Sequence, residues 1–311
     1  MTKQIFKLIL PFLILFSSSL LSQEDLTPGD TTGSFPPDTL CFEYEFYPGD
    51  TLVYDVVAFD SIIIEYGEPL LKSRYEKWLY VCDSVSKDNK FYLTIEMLDF
   101  FSKESQGDVI GQENKNSPWL GRRVQILMDS TGRRYDFKAD TALGAISPGG
   151  SFNPYLLLGF GRTCHEINEM WYFEDSLAVV ENGFPPPVVR NILLHQAKER
   201  KDTLGYSCIR TEYVNTGQGS TGINTRDARL EIISVFNGYG KLDMSSMLDV
   251  PVHHFSTLEQ KLTFISPDGS KQPGWHYHNI NYTLEKFVPG KKRPKPEPEA
   301  EDTGVQPMIQ E

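Results

Sequence analysis

The sequence predicts an all-β protein: curved antiparallel sheets, half-barrel or sandwich-like, from two similar halves with one or two short helices between them. Three observations predict it. In "KFYLTIEM", Phe91, Leu93, Ile95 and Met97 alternate with Tyr92, Thr94 and Glu96, a period of two that gives a strand one apolar face. Apolar runs are punctuated by turn formers, as in "RVQILMDSTGRRYDF" and "LEQKLTFISPDGSKQPGWHYHNINYTL". Aromatic residues make up 12% of the chain, with 19 Phe and 15 Tyr against 4 Trp, and such side chains suit a pleated, half-buried surface.

The first element is not part of the fold. Residues 1–22 carry Lys3 and Lys7, then an apolar run from Leu8 to Phe16, then small residues up to Ser22. This is the layout of a secretory signal peptide, and the run is short of the ~20 apolar residues of a spanning helix. The chain is therefore expected to be exported, to the periplasm or the cell surface, with no transmembrane segment after cleavage. Loss of two lysines takes the formal charge from −12 to about −14. That balance opposes nucleic acid or an anionic membrane as partner.

Residues 23–40, "QEDLTPGDTTGSFPPDTL", read as a flexible lead-in. A first β half is expected over 41–150 and a second over 151–288. In the first, "DTLVYDVVAFDSIII" makes one long strand or two short ones, and "WLYVCDSV" another. The polar stretch "SKESQGDVIGQENKNSPWLG" reads as a surface loop. Around the junction, "KADTALGAIS" and "NPYLLLGFG" can each hold a helical turn or two. In the second half "PVVRNILLHQAKERKD" fits a helical stripe poorly and reads as a strand, and "RLEIISVFNGYGKLDM" reads as a hairpin turning at "NGYG". The tail, 289–311, spaces Lys and Glu with proline and should be extended and unpacked.

Cysteines mark the two halves. Cys82 follows Cys41 by 41 residues, and Cys208 follows Cys164 by 44. In an exported chain four cysteines suggest disulfides, and they allow three pairings; buried free thiols are the other outcome. If the halves are a duplication, the symmetric pairing is Cys41–Cys82 and Cys164–Cys208. With "FYPGDTLVYDV" and "EINEMWYFEDSL" as the two openings, and the two glycine hairpins behind them, the layout resembles exported two-repeat β proteins of Gram-negative bacteria. These build curved antiparallel sheets similar to the half-barrels of lipoprotein carriers. The resemblance covers about 41–287. It implies a concave hydrophobic face that holds acyl chains, and it carries over no binding residue.

The candidate chemistry is sparse. On a regular strand His276, His278, Ile280, Tyr282 and Leu284 share one face. A His-x-His pair can offer two imidazoles to one zinc ion, and His253 and His254 would add a third if their segment lies alongside. The favoured expectation is the opposite one, in which a bulge near Asn279 swaps the faces and turns the histidines to solvent. There is no GxSxG elbow, and "GFGRTC" lacks the lysine of a phosphate loop. Cys164 and His165 are adjacent, so on an extended strand they face opposite ways and make a poor nucleophile–base pair. The apolar segment 152–160, with Tyr155, Leu156, Leu157, Leu158 and Phe160, is expected to plug one mouth of the sheet or cover its inner face, and to line any ligand cavity. The favoured reading is a non-enzymatic exported β protein that takes a hydrophobic ligand such as lipid, or an envelope partner, with no cofactor. The alternatives are a metal-dependent hydrolase and a structural or adhesive module.

Overall fold

The structure, a computed structural model, describes residues 38–139, 155–178, 188–224 and 229–291. The expected signal peptide, most of the lead-in, the first expected helical stretch beyond Ala139 and most of the tail lie outside the described residues. From Asp38 onward the chain makes one compact unit.

Its strands are β1 (Thr39–Cys41), β2 (Thr51–Ile64), β3 (Leu70–Val85), β4 (Phe91–Gln106), β5 (Val109–Asn114), β6 (Arg123–Met128) and β7 (Arg134–Ala139). After the junction come β8 (Cys164–Glu166), β9 (Met170–Ala178), β10 (Val188–Thr203), β11 (Tyr206–Asn224), β12 (Arg229–Ser245), β13 (Pro251–Ile265) and β14 (Lys271–Val288). One antiparallel sheet holds β7-β6-β4-β3-β2-β14-β13-β12-β11-β10-β9, with β5 attached to β4. The chain enters at the middle with β2 and meanders out to the edge at β7. It then crosses to the far edge at β9 and meanders back until β14 pairs with β2. The sheet is curved nearly into a closed barrel. A small ribbon, β1 with β8, stands apart from it.

Period two builds this core. On β2 the buried positions are Leu52, Tyr54, Val56, Ala58 and Asp60, every second residue. On β4 they are Phe91, Leu93, Ile95 and Met97, as the sequence predicts. Beyond Met97 the pairing with β3 shifts register, because Trp78 opposes Met97 while Lys77 opposes Asp99. Leu98 is the extra residue, so Met97 and Phe100 both turn inward. The turns at "DSTG" and "SPDG" also form as expected: Asp129 Oδ1 accepts from the Thr131 and Arg133 amides, and Gly132 and Gly269 take positive φ.

Several expectations need correction. "NGYG" is no turn, because β12 runs straight through Asn237–Gly240. Gly240 stands opposite Tyr213 of β11, and a Cβ on it would fall on the Tyr213 ring. The glycine clears the inner face so that Tyr213 crosses β12 and its hydroxyl hydrogen-bonds with His254 Nε2 on β13, at 2.8 Å. We expect Gly240→Val to destabilise the protein by about 2–4 kcal/mol, from overpacking and a lost buried hydrogen bond. Urea unfolding midpoints will check this, and an unchanged midpoint would refute it. The expected surface loop after Phe101 is half strand: β4 continues to Gln106 and turns into β5. The described part of the second helical stretch, 155–161, contains no helical turn.

The cysteine pairing differs as well. Cys41 and Cys164 are register partners in the β1–β8 ribbon and form a disulfide. Cys82 and Cys208 are buried free thiols, which burial pushes up to about 12 and about 11. The bond thus joins the first short strand of one half to that of the other. Pairing within each half is blocked because Cys82 lies inside β3 opposite Leu93, and Cys208 inside β11 opposite Ser245.

Candidate ligand cavity

Strand register places a polar cluster on the inner face. His278 of β14 is the partner of Asp60 on β2, and Asp60 is in turn the partner of Lys72 on β3. His276 and Arg74 reach the same carboxylate from diagonal positions. His276 Nε2 donates to Asp60 Oδ1 at 2.9 Å, and His278 Nδ1 donates to the same oxygen at 2.7 Å. Arg74 Nε donates to Asp60 Oδ2 at 2.7 Å. The Arg74 guanidinium also binds Glu76, which accepts from Trp78 Nε1 at 2.8 Å. β14 stays regular through Asn279, and its register shift falls later, between Leu284 and Lys286. The histidines therefore face inward, which corrects the expectation that they turn to solvent.

Burial sets the electrostatics. Asp60 is 4% exposed, Glu76 1% and His278 2%. Burial works against the Asp60 charge, but the two imidazole donors and Arg74 outweigh it and hold its carboxyl well below the usual range. For Arg74 burial is likewise outweighed, here by Glu76 and Asp60, and its pKa rises. His278 goes the other way: burial lowers its pKa, and the pull of Asp60 does not make up the loss.

Against this cluster lies a cavity of about 380 Å³. Its polar side includes Asp60, Arg74, Glu76, His276, His278 and Gln260, with Lys72, Asn116 and Ser117 also lining it; its apolar side includes Ile62, Phe100, Trp119, Ile232 and Leu262. Trp119 comes from the segment after β5. The Gly121 amide donates to the Met97 carbonyl, and Leu120 bridges Met97 in parallel fashion. This folds the segment back on β4 and buries Trp119.

The four histidines proposed as one metal set are not together. His253 points outward, within 3.8 Å of Asp243. His254 faces inward but lies opposite Tyr282, whereas Gln260 lies opposite His276. Six residues of strand separate those levels, about 20 Å at ~3.3 Å per residue. The third donor beside His276 and His278 is Asp60, and the ligand atoms of the three lie within 4.8 Å of one another. Nothing local in "AFDSI" points to Asp60, because the partnership spans more than two hundred residues.

The segment Tyr155–Phe160 lies in the interior at another place. Leu156, Leu157, Leu158 and Phe160 are buried. Arg134, on edge strand β7, donates to the Leu157 carbonyl and packs its guanidinium on the Tyr155 ring. Tyr44 donates to the Leu158 carbonyl at 3.0 Å. Trp171 Nε1 on edge strand β9 donates to the Phe160 carbonyl, and His195 Nε2 on β10 to that of Gly159. The segment thus ties the two edges of the sheet and fills the gap between them. The cavity at Asp60 is lined by other residues. His195 was not singled out by the sequence. It stacks on Trp171, and Trp171 on His165, so these rings serve as packed aromatics.

No family model matches the chain, and no curated protein does. One solved structure, "Lipid-protein interactions in lipovitellin", superposes with a TM-score of 0.39 at 13% identity, over 81% of this chain and 26% of that one. The chain therefore spans about a quarter of that chain's length. A superposition this loose says nothing of what the present chain binds.

Proposed function

We propose that the protein is an exported, non-enzymatic binder of an amphipathic, largely hydrophobic ligand, held inside the nearly closed barrel. One observation carries the reading. The cavity of about 380 Å³ has an apolar wall and an ordered polar floor, within the size range of small-molecule sites. A packed core has no need of such a space. Export is supported by the Cys41–Cys164 disulfide, since disulfides persist in oxidising compartments. The protein works in the periplasm or at the cell surface, and delivery to an envelope partner fits a carrier. Gentle purification from a lipid-containing host, followed by native mass spectrometry and solvent extraction, should show a retained ligand. A ligand-free mass, with tryptophan emission unmoved by added amphiphiles, would refute the reading.

A second reading follows from Asp60, His276 and His278, whose donor atoms could hold a divalent cation for hydrolysis. Arg74 opposes it. Its guanidinium already sits on Asp60 and lies 3.4 Å from His278 Nδ1. At that range a second cation is repelled by about 4 kcal/mol per unit charge in a protein environment. Stoichiometric zinc in protein purified without a histidine tag would favour this second reading over the first.

A further inference from the structure

The cluster also selects the head group, given that the cavity is a ligand site. The ionised Asp60 carboxylate can only accept, so each imidazole nitrogen that touches it must carry a proton. In a neutral ring the second nitrogen is then a bare lone pair. These are His276 Nδ1 and His278 Nε2. His278 Nε2 is buried with no hydrogen-bond partner among the described residues. Both histidines line the cavity. The floor therefore presents acceptors, one of which has nothing to accept from.

The charges agree. On β2 the cluster holds Asp60; on β3 it holds Arg74 and Glu76, with the guanidinium shared between the two carboxylates. Lys72 of β3, next along the wall, is neutralised by Glu104 of β4 at 2.8 Å. β13 contributes only Leu258, Gln260 and Leu262 at this level. With neutral imidazoles, two carboxylates face one guanidinium, and the surplus is one negative charge.

We propose that the cavity takes an amphiphile whose head is a hydrogen-bond donor without negative charge, an alcohol, amide or amine, and discriminates against fatty carboxylates. The donor head satisfies the imidazole lone pairs, above all the buried and unpartnered one on His278 Nε2. The chain lies against Phe100, Trp119 and Leu262. A carboxylate head would meet lone pairs and surplus negative charge, and the nearest guanidinium already serves two carboxylates.

The test compares probes of one chain length, 1-decanol, decylamine and decanoate, at pH 8, by titration calorimetry on the intact oxidised protein. Decanol and decylamine should each bind at least tenfold tighter than decanoate. Decanoate binding as tightly or tighter would overturn the head-group assignment and leave the cavity reading standing. Failure of all three to bind would overturn both. Asp60→Asn, if it folds by circular dichroism, should shrink the decylamine preference to below about threefold, because the surplus charge is gone. His276→Gln, at a half-buried position, should weaken decanol while leaving the fold intact; unchanged decanol affinity would count against the assigned acceptor.

Discussion

Acidification from pH 7 to pH 4 is expected to remove on the order of 5–7 kcal/mol of folding stability, enough to unfold many domains of this size. The cause is a pair of buried neutral histidines far from the cavity. Burial lowers His195 to about 4 and His254 to about 3. In the unfolded chain both titrate near 6.5. Below that value the unfolded rings take up protons and the folded rings do not, so the unfolded state binds more protons and gains. Each ring contributes a loss of ~1.4 kcal/mol per pH unit, until the pH falls through its folded value. His278, lowered by burial, acts in the same direction. The depressed Asp60 adds its own loss below about pH 4. Unfolding free energies from urea titrations at pH 7.5 and 5.0 should differ by about 4 kcal/mol, and His254→Gln should roughly halve the difference. Equal midpoints at the two pH values would mean that these rings are not buried neutral.

Breaking the Cys41–Cys164 bond is expected to lower stability by about 4–5 kcal/mol. The two residues are 123 apart in sequence, and on the chain-entropy account the loss grows with the logarithm of the closed loop. The effect should be large because the closed loop holds the entire first half of the sheet. The β1–β8 ribbon also anchors its surroundings. The Phe42 amide donates to Thr163 and Arg200 to the Thr39 carbonyl, and Phe42 itself packs on Phe160 and Trp171. Guanidinium unfolding of Cys41→Ser/Cys164→Ser against the oxidised parent measures the loss directly. A peptide map without reductant should find this pair, with Cys82 and Cys208 alkylated only after unfolding. Any other pairing, or a loss below about 1 kcal/mol, would contradict the assignment.

How much of this is legible in the sequence depends on range. The alternation in "KFYLTIEM" and the turns at "DSTG" and "SPDG" could be read because each is settled by neighbouring residues. "NGYG" misled for the same reason. Its glycines look like a turn until Tyr213, on another strand, is seen to need the space. Trp119 was lost inside a polar stretch, because only the return of that segment onto Met97 buries it. The two C-terminal histidines were visible as a pair, and a regular strand would have put them on the inner face. Their partner Asp60 was not visible, and it gives the cluster its charge and its tautomers.

By itself, then, the order of residues determined that this is a β protein and which side of most strands is apolar, since alternation along a strand is a matter of adjacent side chains. Only the tertiary structure decided that β14 closes against β2, that Cys41 meets Cys164, and that an aspartate, an arginine and two histidines share one floor. Those contacts join strands far apart in the chain, and their identity depends on register. A slip of one residue would turn the same side chains to the opposite face.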